Sequence, residues 1–317
     1  MNLRIIFFGT PPFAATILDY LLKKKVQVIA VVSRPDKPKG RSSQPQPTAV
    51  KSLALANELP IYQPAKVSDP EFVAFLKTLQ ADLFVVAAFA EILKENVLET
   101  PPYGCINVHA SVLPKYRGAA PIQRCIMAGE KESGVTIMKM ARELDAGAIL
   151  SIVRTAITEE MTAGELSQIL ADLGAKALYE VLCDLEKGSL TPIEQDSSQM
   201  TYAKKLKPEE GFIDWNHACE PIHNQIRGVT PKPGAWCWIW VRGKRKRLLI
   251  KRAVREISLK GAPAEILSTS KNPGKLIIGC AKGAIRLLEI QLEGKQPMAV
   301  DHFLRGIAID HIRFDQD

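Results

Sequence analysis

The sequence predicts an α/β protein in which a mostly parallel sheet is followed by a small C-terminal β-barrel. Three observations predict it. Apolar, β-branched runs at residues 4–8, 26–32, 83–88 and 105–109 alternate with helical segments, the arrangement from which parallel sheets are built. After Gly211 the pattern changes to short strands separated by glycine turns, as in small barrels. Charge divides at the same place: residues 201–317 hold 21 Lys and Arg against 12 Asp and Glu, a net of +9, whereas residues 1–200 carry −1.

A chain of 317 residues, 46% hydrophobic and 24% charged, has room for two cores. No apolar run reaches the length of a membrane span, and the N-terminus enters an apolar strand without a small-residue cleavage site. A cytoplasmic protein without a membrane partner is expected. Cys105, Cys125, Cys183, Cys219, Cys237 and Cys280 are scattered with no Cys-x-x-Cys pair, so neither a disulfide framework nor a metal site is predicted.

In order, residues 4–8 form a strand, Gly9 to Pro12 a turn, and Phe13, Ile17 and Leu21 mark a helix whose Lys23, Lys24 and Lys25 suit its negative end. The turn lacks G-x-G-x-x-G, so no nucleotide cofactor is indicated. Residues 33–47 form a proline-rich loop carrying Arg34, Lys37, Lys39 and Arg41. Such a loop suits a solvated surface and a phosphate clamp equally well. Thr48 caps one helix, and Asp69 with Pro70 opens another. Residues 119–129 read as a helix and 135–140 as a strand. Thr162 and Glu165 form a capping box for a long amphipathic helix that stops at Gly188. The first domain is therefore residues 1–189. Residues 190–208 read as a linker, basic at Lys204, Lys205 and Lys207, and residues 209–317 as the basic barrel domain. There, Trp236, Trp238 and Trp240 alternate with Cys237, Ile239 and Val241. The tryptophans are expected to face the core, because alternating aromatics usually pack inward. Residues 242–247, with Lys244, Arg245, Lys246 and Arg247, read as a basic turn of a hairpin.

The chemistry concentrates around residues 104–123. Alternate residues of a strand share a face, so Asn107 and His109 point the same way at the end of the 105–109 strand. Pro114 and Gly118 keep the segment after that strand from being helical. A loop after the carboxyl end of a buried strand is where open α/β sheets hold ligands. Asp145, in a loop beside Gly147, adds a carboxylate. A donor, a base and a carboxylate are also consistent with a satisfied polar cluster, and spacing alone leaves both readings open. A serine hydrolase built on Ser111 lacks the G-x-S-x-G elbow, and a metal hydrolase lacks ligands. Acyl transfer to an amine fits better, since it needs an oxyanion donor and a proton acceptor but no protein nucleophile.

Longer motifs carry a resemblance. Phe8-Gly9-Thr10-Pro11, the run from Pro35 to Arg41, the Asn107-x-His109-x-Ser111-x-Leu113-Pro114 run continuing through Arg117 to Ile122, and Leu144-Asp145-Ala146-Gly147 resemble the folate-dependent formyltransferases. Thr201 to Lys204, Ile213-Asp214-Trp215, Ile226-Arg227-Gly228 and Pro233 to Trp236 resemble the tRNA-acting members of that family. The resemblance covers nearly the full length. It implies a Rossmann-like formyltransferase domain and an OB-like C-terminal barrel, with transfer of a formyl group from 10-formyltetrahydrofolate, as co-substrate, to methionine on initiator tRNA. It further implies catalysis by Asn107, His109 and Asp145, and folate contacts at Ser111, Val112, Leu113, Pro114, Val86, Phe89 and Ile92. Transfer-RNA contacts would fall at Arg34, Lys37, Lys39, Arg41, Lys204, Lys205, Lys207, Lys244, Arg245, Lys246 and Arg247. A monomer is expected. The sequence departs from the family at Phe89 and Ala90, where Tyr-Gly is usual, at Ser42 to Gln44 and at Lys232. The alternatives are a formyltransferase for a small amine such as glycinamide ribonucleotide, which has no use for a basic domain, and a non-catalytic RNA-binding protein.

Overall fold

The computed structural model describes residues 2–38, 44–268 and 274–315. Their contacts divide into two compact units, one holding residues up to 121, 132–155 and 167–203, the other 122–131, 156–166 and those from 204 onward.

The first unit is a seven-stranded sheet. Its strands are β1 (Ile5–Gly9), β2 (Val28–Val32), β3 (Ile61–Tyr62), β4 (Leu83–Ala87), β5 (Cys105–His109), β6 (Glu132–Lys139) and β7 (Ile149–Ala156), in the order β7-β6-β5-β4-β1-β2-β3. Pairing is parallel from β3 through β5 and antiparallel between β5 and β6. The central runs are wholly apolar because both faces are covered. Ile5, Phe7, Val85 and Ile106 pack on one side with Leu18 and Leu178 of helices Pro12–Lys23 and Ala163–Lys187, while Ile6, Phe8 and Phe84 pack on the other with Leu76. Strand order reverses between β1 and β4, which opens a crevice at the carboxyl ends beside β5. Residues 193–203 belong to this unit: Ile193 bridges Ile149, and Tyr202–Ala203 pairs in parallel with Arg117–Gly118. Two of the three predicted caps form, whereas Asp69 stands at the N-cap of helix Pro70–Thr78 without a side-chain bond to it. Lys51 N–H donates to Thr48 Oγ1 at 3.0 Å, and Thr162 and Glu165 bond reciprocally at 2.9 and 3.3 Å.

In the second unit β8 (Ala235–Val241), β9 (Lys244–Glu256), β10 (Leu276–Gly279), β11 (Ala284–Leu292) and β12 (Ile312–Phe314) form an antiparallel sheet in the order β10-β11-β9-β8-β12. Register shifts around Arg252 bend β9, and the sheet curls into a half-barrel around Ile222 and Ile226 of helix Cys219–Gly228. Two expectations are corrected here. The turn is Arg242-Gly243 alone, both at positive φ (49° and 74°), and Lys244 to Arg247 already lie in β9. The tryptophans point outward. Ala235, Cys237, Ile239 and Val241 are buried, whereas Trp236, Trp238 and Trp240 lie half-buried under arginines, with Arg247, Arg245 and Arg313 over them at 4.2, 5.0 and 5.3 Å. Both faces of β8 are apolar, and the smaller side chains are the ones that fit the interior of a tightly curled sheet; cation–π stacking covers the larger ones.

Candidate active site

In the middle of β5, Asn107 sits between Val86 of β4 and Met138 of β6. Its side chain is half-buried and its amide has no hydrogen-bond partner among the described residues. His109, on the same face, is buried, with Nε2 3.0 Å from the carbonyl oxygen of Tyr116. That oxygen can only accept, so Nε2 carries a proton. Nδ1 faces Asp145 Oδ2 at 3.6 Å. The fold brings His109 and Asp145 within 3.6 Å of each other and sets Asn107 on the same strand face as His109.

Asp145 is held in a left-handed conformation, φ 51°. Its carboxylate accepts from Gly118 N–H at 2.8 Å, and its backbone carbonyl accepts from Gln195 Nε2 at 2.8 Å. The same Nε2 donates to Gly147 O at 2.8 Å, while Gln195 Oε1 accepts from Arg117 Nη2 and Nε at 2.7 and 3.1 Å. Arg117 is 1% exposed and also reaches Glu143 at 3.2 Å. Gly147 lies so close to β6 that a Cβ there would stand 1.9 Å from Lys139 O.

Ser111 is not set up as a nucleophile, because its hydroxyl donates to Lys115 O at 2.7 Å. Thr136 Oγ1 bridges Ser111 O at 2.7 Å and Leu113 N–H at 3.1 Å, which fixes the turn after β5. Among the folate candidates, Val86, Phe89, Ser111 and Leu113 are buried, Val112 and Pro114 half-buried, and Ile92 is 74% exposed. Ala88 and Ala90 both have positive φ, so the chain from β4 towards Ile92 turns sharply. Among the tRNA candidates, Arg34 is engaged by Glu91 and by Ala65 O, and Lys37 is exposed. Lys39 and Arg41 lie outside the described residues. In the second unit Lys204, Lys205, Lys207, Lys244 and Arg245 are exposed, and Lys246 and Arg247 half-buried. Arg245 pairs with Asp315 at 2.7 Å. Gln195 and Arg117 are the site residues whose roles the sequence did not reveal, for their partners are remote in the chain.

The formyl transferase family model matches residues 1–182, and that of the formyl transferase C-terminal domain matches residues 205–308. Methionyl-tRNA formyltransferase of Protochlamydia amoebophila is 47% identical over 99% of this chain and 98% of its own length. The chain belongs to the methionyl-tRNA formyltransferases. Members from Chlamydia abortus and Citrifermentans bemidjiense are 48% and 42% identical, each over 96% of the chain and over 96% and 94% of their own lengths. Solved structures that resemble it are those of WlaRD, a sugar 3N-formyl transferase (TM-score 0.67, 20% identity, 93% of this chain and all of that one), and of HypX from Aquifex aeolicus (0.65, 18%, 97% and 50%). At such identities these two show a shared fold.

Proposed function

We propose that the chain transfers the formyl group of 10-formyltetrahydrofolate to the α-amino group of methionine esterified to initiator tRNA. Residues 1–189 are the catalytic domain, 190–208 the linker, of which 193–203 pack on the first unit, and 209–317 the basic domain that holds tRNA, in a cytoplasmic monomer. The observation that carries this reading is the amide of Asn107, without a partner among the described residues, on the strand face of His109, which meets Asp145 at 3.6 Å, in a chain of this family.

The neutral amine attacks the formyl carbon, forming a C–N bond as the carbonyl electrons move to oxygen. Asn107 donates to that oxyanion, and His109 Nε2–H, shared with Tyr116 O, is the second donor. The proton of the new ammonium passes to Asp145, directly or through water, as Asp145 also orients His109. Collapse breaks the bond to folate N10, which leaves with the proton that Asp145 has taken up, returned directly or through water. Ser111 to Pro114 and residues 86–92 hold the donor. The +9 charge of residues 201–317, with Arg34, Lys37, Lys39 and Arg41, meets the phosphates of the acceptor.

The test offers methionyl initiator tRNA, methionyl elongator tRNA and glycinamide ribonucleotide as competing acceptors of formyl from 10-formyltetrahydrofolate. Selective formylation of the initiator is expected. Preference for the small amine would overturn the acceptor assignment.

A further inference from the structure

We propose that Gln195 is a positioning residue for the transfer, acting through Asp145 with Arg117 as its anchor; this rests on the role given to Asp145 above. Gln195 comes from a segment with little regular structure, yet its amide is used completely. Both Nε2 hydrogens are spent on carbonyls of one loop, Asp145 O and Gly147 O, and Oε1 takes two N–H groups of Arg117. That pattern leaves one orientation of the amide. A guanidinium only donates and the two carbonyls only accept, so a flipped amide would set donor against donor and acceptor against acceptor.

Burying the guanidinium of Arg117 is costly unless its N–H groups are met, and its one carboxylate partner among the described residues, Glu143, has a side chain 67% exposed. Gln195 Oε1 and Met200 Sδ supply the remaining contacts. The result is a clamp built on three consecutive residues. Tyr116 O holds His109 Nε2, Gly118 N–H holds the Asp145 carboxylate, and Arg117 between them holds the Asp145 carbonyl through Gln195. Asp145 is thus gripped at both its side chain and its backbone from one short strand, which is what keeps a non-glycine residue at φ 51°. The same strand is tied to Thr201 O and Ala203, so the segment that brings Gln195 is itself fixed in place.

The test is Gln195→Glu in full-length protein, assayed for formyl transfer to methionyl initiator tRNA. Glu keeps the shape and still accepts from Arg117, but it turns an oxygen towards the two carbonyls. A displacement of the order of 1 Å at a reacting group costs up to about a hundredfold, so kcat should fall by roughly 10- to 100-fold. KM for folate and for tRNA should stay within about twofold, because the interaction lost is one made in the transition state. In an Asp145→Asn background the same substitution should cost nothing further, the coupling expected of residues that act as a unit. Gln195→Asn, which keeps the amide but shortens its reach, should show the same loss in kcat should the Glu variant fail to fold. Near-normal kcat in the folded variants, or losses that multiply with that of Asp145→Asn, would overturn the role of Gln195. Near-normal kcat in Asp145→Asn alone would instead overturn the assignment of Asp145.

Discussion

His109 and Asp145 approach each other to 3.6 Å with Nδ1 turned to Oδ2, although one is the last residue of β5 and the other lies in a loop beyond β6. Nε2 meets Tyr116 O at 3.0 Å, which leaves Nδ1 as the ring nitrogen turned to the carboxylate. His109→Ala therefore removes the oriented imidazole and leaves Asn107 in place. Turnover should drop by on the order of a hundredfold or more, with KM for both substrates little changed. Steady-state kinetics at saturating folate check this, and a near-normal rate would mean that His109 has been given the wrong role.

Gly147 tests the same site from the backbone. A Cβ at this position would meet Lys139 O at 1.9 Å, with no flexible side chain to yield, so Gly147→Ala must push the 142–147 loop off β6. Activity should fall at least tenfold and stability by about 1–3 kcal/mol. Gly188→Ala is the control: φ there is +70° but nothing lies within 4 Å, so it should cost about 1 kcal/mol and leave kcat alone. Equal kcat losses in both variants would separate activity from the position of the Asp145 loop.

Much of the architecture and of the site was legible in the sequence, for reasons that can be named. Apolar β-branched runs report strands covered on both faces, and period two puts Asn107 and His109 on one face. Thr162 and Glu165 are close in sequence and so announce their capping box. The hidden part is long-range. The pairing of Arg117–Gly118 with Tyr202–Ala203 involves two residues a side, too few for a periodicity, and Gln195 meets the Asp145 loop only through the fold. Period two also says which residues of β8 share a face, but not which face is inside. For that reason Trp236, Trp238 and Trp240 are expected in the core and are found outside.

The second unit carries a pH-sensitive group. His223 is 3% exposed, and its Nε2 donates to Ala253 O at 3.0 Å. Burial first, and then the charge of Arg227, lower its pKa from 6.5 to about 4. The folded form thus holds His223 neutral while the unfolded chain takes up a proton below pH 6.5. The stability present above pH 6.5 is lost as pH falls towards 4. Between pH 7 and 4.5 this one group should lower the unfolding free energy by about 2–3 kcal/mol. His223→Gln, which keeps a donor and does not titrate, should lose that much less over the same interval in urea titrations. Identical pH dependence in the two proteins would show that His223 is not the group responsible.

The arginines on β8 and its neighbours give the last prediction. Stacking over Trp236 and Trp238 holds the planes of Arg247 and Arg245 in place. An arginine fixed in this way loses less freedom on meeting a phosphate than a solvated lysine does, and a phosphate contact carries no sequence information, so it suits the nucleic-acid backbone. Each phosphate neutralised releases counterions and adds about 0.9 to the slope of log affinity against log salt on duplex nucleic acid. Replacing Arg245 and Arg247 together by Gln should therefore raise KM for tRNA and reduce that slope by roughly one to two. Because these residues lie in the basic unit and His109 and Asp145 in the other, kcat at saturating tRNA and KM for folate should hold. Filter binding at several salt concentrations reads the slope directly. An unchanged slope would reduce the two arginines to covers for the tryptophans beneath them and would move the phosphate contacts to Lys204, Lys205 and Lys207, where the same measurement applies.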